Sequence, residues 1–527
     1  MQLARPGLQL SGYGPIDLGF ADLAPPAEDE RDTMVIASFA FSRANLNDVP
    51  DEQLRLVFGA SGYIGGNLVP ALVAAGQRVR ATARNIEVLE ARHWPGVELV
   101  AADALNPATL AAALEGVDTA YYLVHSMAAG RDFAVLDREA AENFARAAAA
   151  AGVRRIVYLG GLIPPDPRSQ HLRSRAETGD VLRSHPVPVT EVRAGMIIGP
   201  GSAAYEVIRD LVNHLPVMVT PSWVRSRSTP IALPDLIAYL AAVADLDVAA
   251  GRILDAGGPE AVTYEDIMRC YGRLVGRRTR ILAVPVLTPR LSSYWLRFVT
   301  SVPTNVARAL VEGLEHDFVA DDATLRALVP RPLMGLEASV RAAIDADRQH
   351  EVVARWVEGA IACRNFRPEY GYYAMRAGAD AAGPATPEAV FRTFCTIGGE
   401  RGYFYADLLW NIRRAIDWLV GGPSYRRSRR HPEELRVGDV VDSWRVIALE
   451  PGRRLTLLME MKAPGAGVLE FVVRPGADGQ GSTVNATAYW HPAGVLGLVY
   501  WYALVPAHLF LFRGLTRAIQ RLAATGR

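Results

Sequence analysis

The stretch LVFGASGYIGG, residues 56–66, joins a short apolar run to a helix-forming segment through a glycine-rich turn. Its glycines Gly59, Gly62 and Gly65 have the spacing GxxGxxG. The first allows a tight turn, the second lets the backbone approach a pyrophosphate, and the third lets the helix pack on the strand. The amino terminus of that helix adds partial positive charge for phosphates. The stretch therefore predicts a dinucleotide-binding turn.

Strand-like and helix-like segments alternate after this turn. Apolar runs such as RVRATAR (78–84), VELVAAD (97–103) and RRIVYLGG (154–161) alternate with helical stretches such as REAAENFARAAAAAG (138–152). Apolar strands separated by helices are typical of a parallel sheet covered on both faces. The pattern continues to about residue 256 and predicts an α/β fold with a Rossmann-type, doubly wound parallel sheet. A mixed helical region, which includes the stretch 290–314, follows to about residue 365.

The carboxyl-terminal part of the chain has a different pattern. After GADAAGPATPEA (378–389), which is typical of a linker, an aromatic helical stretch at 403–422 precedes strand-like segments on short turns. Successive strands on short turns form an antiparallel meander, and a long apolar helix from about Ala493 completes a second, α+β domain. The four strand-like segments are VVDSWRVIALE (440–450), RLTLLMEMK (454–462), GVLEFVVRP (467–475) and STVNATAYW (482–490).

Length and composition set the outline of the protein. At 527 residues the chain needs two or three domains. The 56 basic and 56 acidic side chains cancel, so the overall charge does not favour nucleic acid as a partner. Cys270, Cys363 and Cys395 have no metal-ligand spacing, so we expect packing residues, no metal site and a reducing, cytoplasmic location. We divide the chain into a flexible extension (1–52), a nucleotide-binding domain (53–365), a linker (366–388) and a carboxyl-terminal domain (389–527).

The end of the second strand decides which dinucleotide is favoured. An acidic residue there would bind the ribose hydroxyls of NAD, whereas this chain has Arg84. A guanidinium pairs with a 2′-phosphate, so the sequence favours NADP(H) over NAD(H); the alternative is a solvated surface arginine. Asp103 either meets the adenine or caps the helix that follows. The predicted cofactor contacts are thus Gly59, Ser61, Gly62, Tyr63, Ile64, Gly65, Arg84 and Asp103.

Five segments carry a family resemblance: GASGYIGG, VAADALNP, YYLVHSM, RRIVYLGG and VRAGMIIGPGS. They resemble the extended and atypical short-chain dehydrogenase/reductases, especially the NmrA-like group, over about residues 54–330. The last segment is similar to the family's RPGxxxGPG element, with Arg193, Gly195, Gly199 and Gly201 in place and Ala194 replacing the proline. The resemblance implies a nicotinamide cofactor and an oxidoreductase.

The catalytic pair of that family is changed in this chain. Active members carry Tyr-x-x-x-Lys on the helix after the fifth strand, where this chain reads HLRSR, with His171 and Arg175 in those places. The resemblance implies that His171, which titrates near neutral pH, replaces the tyrosine as acid and that Arg175 holds the nicotinamide ribose. The alternative is a pair of surface residues on a helix without a catalytic role. Ser126 and His125 are secondary candidates near the nicotinamide, with a core or capping role as their alternative.

The carboxyl-terminal domain resembles two groups of proteins. Its order of helix, meander and long helix resembles helix-grip domains of the START-like and Bet v 1-like (SRPBCC-like) type, which implies an apolar cavity for a lipophilic ligand. Residues 385–525 also resemble a bacterial domain of unknown function that is commonly fused behind an NAD(P)-binding domain. Eight aromatic residues either line a cavity or form the core: Tyr403, Tyr405, Trp410, Trp418, Trp444, Trp490, Tyr500 and Trp501.

Two further stretches bear on membranes. Residues 493–512 contain no Asp, Glu, Lys or Arg, about the length of a membrane span. This stretch contains glycines and Pro506 and follows a meander, which favours the buried helix of a helix-grip domain. The alternative is peripheral contact with a bilayer. The run YRRSRRH (425–431) is either a solvated loop or a site for an anionic lipid or phosphate. It carries no interleaved aromatics within its basic part, which disfavours nucleic acid.

Two kinds of function follow from these patterns. The first is an NAD(P)-dependent oxidoreductase or isomerase that lacks the usual Tyr-x-x-x-Lys pair and acts on a lipophilic carbonyl or quinone-like compound. The second is a non-catalytic NADP(H)-sensing regulator or assembly factor of the NmrA-like type. Both are expected in the cytoplasm, with attachment to the inner face of the membrane as a variant.

Overall fold

The computed structural model describes most of the two predicted domains. Its described residues are 53–125, 133–164, 169–215, 217–284, 316–349, 351–354, 375–419, 429–476, 480–492 and 494–526. The predicted extension (1–52), Ser126, the helical stretch 290–314 and Cys363 lie outside the described residues.

The described residues form nineteen strands and thirteen α-helices. In chain order, strands β1 to β19 are Leu54–Phe58, Arg78–Ala83, Glu98–Ala101, Val117–Tyr122, Arg155–Gly161, Val189–Ala194, Ile197–Ile198, Val217–Pro221, Arg227–Ser228, Ile231–Ala232, Ile253–Ala256, Val262–Thr263, Arg280–Val284, Met375–Gly383, Val440–Val441, Trp444–Glu450, Arg454–Met459, Gly465–Pro475 and Ser482–Pro492. Helices α1 to α13 are Tyr63–Ala74, Glu87–Glu90, Leu110–Leu114, Phe133–Ala150, Gln170–Arg183, Ala203–His214, Leu233–Val243, Tyr264–Leu274, Ala323–Leu328, Leu336–Arg348, Pro387–Cys395, Asp407–Leu419 and Gly494–Thr525.

Seven strands form a parallel sheet in the order β11-β6-β5-β4-β1-β2-β3. The order reverses between β1 and β4, so a crevice is expected beyond the carboxyl ends of these two strands. Separate cores cover the two faces. Leu68 of α1 packs with Leu236 of α7 in one, and Phe144 of α4 packs with Leu114 of α3 in the other. The prediction of a doubly wound Rossmann-type sheet is confirmed.

The second sheet has six antiparallel strands in the order β14-β19-β18-β17-β16-β15. Its strands β16 to β19 form the predicted meander, and β15 pairs beside them. Helix α13 packs against β14 and β19, and its buried Leu515 and Ile519 belong to the core of this region. The predicted combination of an antiparallel sheet with a long terminal helix is therefore confirmed.

The predicted linker 366–388 is wrong where it overlaps β14. This strand pairs with β19 along its whole length, from Met375 opposite Trp490 to Gly383 opposite Ser482. Its alanines and glycines have low β-propensity, which made the segment resemble a linker. A Cβ at Gly378 would lie 2.6 Å from the carbonyl oxygen of Ala486, so a small residue allows the close strand contact. Tertiary pairing overrides the local composition here.

The final helix is only partly the buried helix that we expected. Helix α13 continues without interruption through Pro506. Its second half is buried at Phe512, Leu515 and Ile519, whereas Leu496 in its first half is 74% exposed. The prediction of a buried helix is thus right for the second half and wrong for the first.

Two smaller predictions about the second region can be judged. Of the eight aromatic residues, Tyr403, Trp444, Trp490 and Trp501 are buried in the core, as the simpler alternative expected. The solvated-loop interpretation of the basic run is wrong at two described residues. The guanidinium of Arg429 donates to the carbonyls of Cys395 and Ile397 at the end of α11, and Arg430 pairs with the buried Asp439.

Candidate functional site

The glycine turn follows β1 and needs glycine at two of its positions. Gly59 has a φ of +96°, a conformation that L side chains rarely adopt, and its Cβ would lie 3.2 Å from the carbonyl carbon of Leu123. A Cβ at Gly65 would lie 2.5 Å from the carbonyl oxygen of Gly59. The amide of Gly62 donates to that same oxygen at 3.0 Å. The turn is therefore a tight loop closed against the first turn of α1.

The amino terminus of α1 suits an anionic group. Gly62 is its N-cap in an extended conformation, with no side-chain cap, and the first helical turn contains no acidic residue. A Cβ at Gly62 would meet only the carbonyl oxygen of Gly59, at 3.2 Å. The amide groups of a first helical turn have no intrahelical acceptors, and the helix dipole favours negative charge there. These features fit the pyrophosphate of a dinucleotide.

The remaining predicted contacts of the turn are partly buried. Tyr63 lies against the GPG element, because a Cβ at Gly199 would be 2.6 Å from the Tyr63 hydroxyl oxygen. Ser61 and Ile64 are half-buried, and Ile64 packs on the core. The structure thus brings the first and last segments of the family resemblance together.

Arg84 and Asp103 follow neighbouring strands at the same edge of the sheet. Arg84, one residue after β2, is exposed and makes no ion pair with another described residue. Asp103 follows β3, is half-buried and accepts a hydrogen bond at 3.0 Å from the Leu105 amide. This bond to a nearby backbone amide resembles the helix-capping role that was the alternative for Asp103. Contact of either side chain with a nucleotide stays a prediction.

A polar cluster lies beyond β4 and β5, where the resemblance placed the catalytic groups. Asp137 of α4, only 4% exposed, accepts hydrogen bonds from His125 Nδ1 at 3.0 Å and from the Ser174 hydroxyl at 3.1 Å. The rings of His125 and His171 are 5.0 Å apart between centroids. His125 Nε2 and His171 Nδ1 are both buried and lack a hydrogen-bond partner among the described residues. Of the candidate catalytic residues, the structure brings together His171 and His125; Ser126 lies outside the described residues.

The protonation expected for His171 is wrong. Burial, helped by His125 and the charge of Arg175, lowers the pKa of His171 to about 2. The imidazole is therefore neutral at pH 7 and does not titrate there as we predicted from the sequence. Burial also lowers the pKa of His125, although its hydrogen bond to Asp137 opposes this shift. His125, supported by a carboxylate, is thus better placed than His171 to bind and release a proton.

Arg175 lies beside Gly161, the last residue of β5. A Cβ at Gly161 would be 3.7 Å from Arg175 Nε. At Gly160 a Cβ would be only 2.7 Å from a carboxylate oxygen of Glu191, which is fully buried and paired with Arg183 and Arg193. The carboxylate of Glu191 thus explains why residue 160 is a glycine.

Asp137 and Ser174 were not among the site residues predicted from the sequence. A signal for Asp137 was present, because it lies three and four residues before the buried Ala140 and Ala141, on the apolar face of α4. A carboxylate on the buried face of a helix needs a hydrogen-bonding partner. Ser174 carried no comparable signal, because a serine between two arginines is typical of an exposed helical face.

The buried imidazole of His171 makes stability depend on pH. Its pKa of about 2 in the folded protein lies below the ordinary value of 6.5, so below that pH the unfolded chain binds a proton that the folded chain does not. Its contribution to stability is complete above pH 6.5 and is lost as pH falls, by about 1.4 kcal/mol per pH unit. The wild type should therefore lose about 2 kcal/mol more of its free energy of unfolding than His171→Gln does when the pH is lowered from 7 to 5.

Urea unfolding at the two pH values, followed by circular dichroism, measures this difference. His93→Gln, at an exposed histidine, serves as the control and should follow the wild type. Parallel pH dependence of His171→Gln and the wild type would contradict a buried neutral imidazole.

Known families match both parts of the chain. Residues 59–211 match a family described as NAD(P)H-binding, and residues 372–515 match a family described as a protein of unknown function (DUF2867). The chain therefore carries an NAD(P)H-binding domain of Rossmann type followed by a DUF2867 domain.

Relatives of known name match about half of this chain. A (4-alkanoyl-5-oxo-2,5-dihydrofuran-3-yl)methyl phosphate reductase of Streptomyces griseus is 29% identical over 53% of this chain and 93% of its own length. A ceramide reductase of Caulobacter vibrioides is 27% identical over 44% of this chain and 73% of its own. Among solved structures, the triphenylmethane reductase of Citrobacter sp. complexed with NADP(H) is 20% identical, with a TM-score of 0.46 over 55% of this chain and 99% of its own. The relatives in sequence thus include reductases.

Proposed function

We propose that this protein is an NADP(H)-dependent reductase of a lipophilic carbonyl or quinone-like compound. The observation that carries the proposal is the position of two features on adjacent strands. The glycine turn follows β1, and the cluster of His125, Asp137, His171 and Arg175 lies beyond β4 and β5, at the same edge of the sheet. Ligands of doubly wound sheets bind at this edge.

The side chains of the cluster can each take a separate role in the reduction of a carbonyl group. A bound reduced nicotinamide supplies a hydride to the carbonyl carbon, and one proton must reach the carbonyl oxygen. His125 in its protonated form would give that proton from Nε2, while Asp137 orients the ring through Nδ1. His171 would remain neutral and donate a hydrogen bond to the substrate oxygen. Arg175 would hold ribose hydroxyls as a permanent cation.

Two lines support the class of substrate. The relatives named as reductases support reduction, and the similarity to a ceramide reductase supports a lipophilic compound. A cavity of START or Bet v 1 type between the second sheet and α13 remains part of this proposal. That domain would hold the lipophilic substrate.

Titration of the purified full chain with NADPH and NADH, followed by a panel of lipophilic ketones and quinones, tests the proposal. Tight NADPH binding with cofactor oxidation is the expected result. Binding without turnover would favour the second candidate, an NADP(H)-sensing regulator, which the loss of the Tyr-x-x-x-Lys pair supports. Binding of neither nucleotide would contradict both.

The preference for NADPH depends on Arg84. Because a bidentate arginine–phosphate pair contributes about 1.5–3 kcal/mol, Arg84→Ala should weaken NADPH binding at least about tenfold. NADH lacks the 2′-phosphate, so its affinity should remain within about twofold. Fluorescence titration of both nucleotides measures the two effects. Arg252→Ala, at an exposed arginine at the opposite edge of the sheet, is the control; equal losses for NADPH and NADH would contradict a 2′-phosphate contact.

A further inference from the structure

Helices α12 and α13 lie side by side in opposite directions. The ring of Tyr405, just before α12, is 5.4 Å from the ring of Phe510, between centroids. Farther along α12 the guanidinium of Arg413 lies 5.9 Å from the ring centroid of Tyr500. Higher residue numbers on α12 therefore meet lower numbers on α13. The exposed side chains of these two neighbouring helices together make up their outer surface.

This surface is apolar over most of both helices. On α13 the exposed side chains recur every three or four residues, and Val499 is 60% and Phe510 56% exposed. On α12 Leu408 is 72% exposed, and Ile412, Ile416 and Leu419 follow on the same face. Monomeric soluble proteins rarely expose contiguous apolar patches larger than a few hundred Å². The repeated exposure of large apolar side chains on both helices indicates a docking surface.

The charges around the surface select its occupant. The exposed face of α13 has no charged side chain until Arg513, which is followed by the exposed Arg517 and Arg521 at intervals of four residues. Among the described residues of α12, the exposed charged side chain is Asp407 at its first position, on a different side of the helix from Leu408 and Ile412. An apolar face that ends in a row of arginines matches a bilayer whose headgroups are anionic.

We propose that the paired outer faces of α12 and α13 insert into one leaflet of a membrane that contains anionic phospholipid. By length and composition alone, α13 meets the requirements of a membrane span, the one such helix among the described residues. Its exposed apolar face runs from Leu496 to Phe510, about 21 Å of helix. This is shorter than the roughly 30 Å hydrocarbon core. The second half of α13 is packed in the core of the protein, so the helix enters the bilayer without crossing it.

Flotation of the full chain with lipid vesicles tests this inference independently of the nucleotide site. We expect binding to vesicles of phosphatidylcholine with phosphatidylglycerol and weaker binding to phosphatidylcholine alone. Val499→Glu and Phe510→Glu should each lower vesicle binding about tenfold, because each replaces an apolar side chain that would enter the bilayer with a charged one. Val248→Glu, at a valine that is 57% exposed in the Rossmann-type region, is the matched control and should bind as the wild type does.

Three results would overturn the proposal. They are failure of the wild type to float with either vesicle, unchanged flotation of Val499→Glu and Phe510→Glu, and a dimer in light scattering that these variants abolish. The last result would mean that a second copy covers the surface. Arg513→Gln with Arg517→Gln should remove the preference for phosphatidylglycerol, and an unchanged preference would contradict the role of the arginines. Circular dichroism of each variant confirms folding, since all the altered side chains are exposed.

Discussion

Gly65→Ala is expected to raise the dissociation constant for NADPH at least about a hundredfold. The new methyl group would lie 2.5 Å from the carbonyl oxygen of Gly59 and 2.7 Å from the Ala60 Cα, so backbone must move. Movement of the Gly59 carbonyl displaces the loop that closes against α1, together with the helix amides that would face the pyrophosphate. Alanine has the better helix propensity by about 1 kcal/mol, so propensity does not oppose the substitution.

The control for this prediction separates loss of the turn from loss of stability. Gly76→Ala places a methyl group at a φ of +77° with nothing within 4 Å. It costs about 1–2 kcal/mol of backbone strain and leaves the turn unchanged. Its NADPH affinity should stay within about threefold of the wild type. If Gly65→Ala bound NADPH as tightly as Gly76→Ala, the turn would not be the nucleotide site.

The first domain was predictable because its signals are local and repeated. The strands of the parallel sheet are largely apolar and are separated by helices, so the alternation is visible without tertiary information. The glycine turn is also local, since Gly59 is required by its own φ of +96° and Gly65 by the backbone atoms of Gly59 and Ala60. The meander of the second domain was predictable from its short turns.

The errors have a different origin, which is contact between residues that are distant in sequence. Strand β14 is held by pairing with β19, about a hundred residues later, and its own composition does not favour a strand. The pKa of His171 depends on burial and on His125, neither of which follows from the HLRSR motif. Asp137 joins the cluster through α4 packing beside α5. The motifs thus predicted the edge of the sheet at which the polar cluster lies, but not its member Asp137.

Two carboxylates shape the polar site beyond β4 and β5. Glu191 occupies the space in front of Gly160, so a serine at that position would collide with a buried carboxylate. The second carboxylate is that of Asp137 on α4, which accepts hydrogen bonds from His125 and Ser174. The site therefore contains a buried carboxylate that is hydrogen-bonded to a histidine and a serine. An Asp–His pair is a common arrangement for transferring protons.

Asp137→Asn is expected to lower turnover by about 10²–10⁴-fold, the usual range for loss of general acid–base function. The amide has nearly the shape of the carboxylate but no negative charge, so it orients the ring of His125 poorly and no longer stabilises its protonated form. NADPH affinity should change little, because the amide keeps the shape of the carboxylate that it replaces. Glu139→Gln, at an exposed carboxylate on the same helix, is the matched control and should retain full turnover.

The pH profile distinguishes this role from a structural one. The hydrogen bond and charge of Asp137 raise the pKa of His125, while burial lowers it below 6.5. Turnover that needs protonated His125 should increase as pH falls towards that pKa, until acid unfolding begins. Without the carboxylate the pKa of His125 falls further, so the profile of Asp137→Asn should move to lower pH. His125→Gln should remove the titration altogether. A uniform loss of turnover at every pH would mean that Asp137 acts only by packing, and His125 would not be the proton donor.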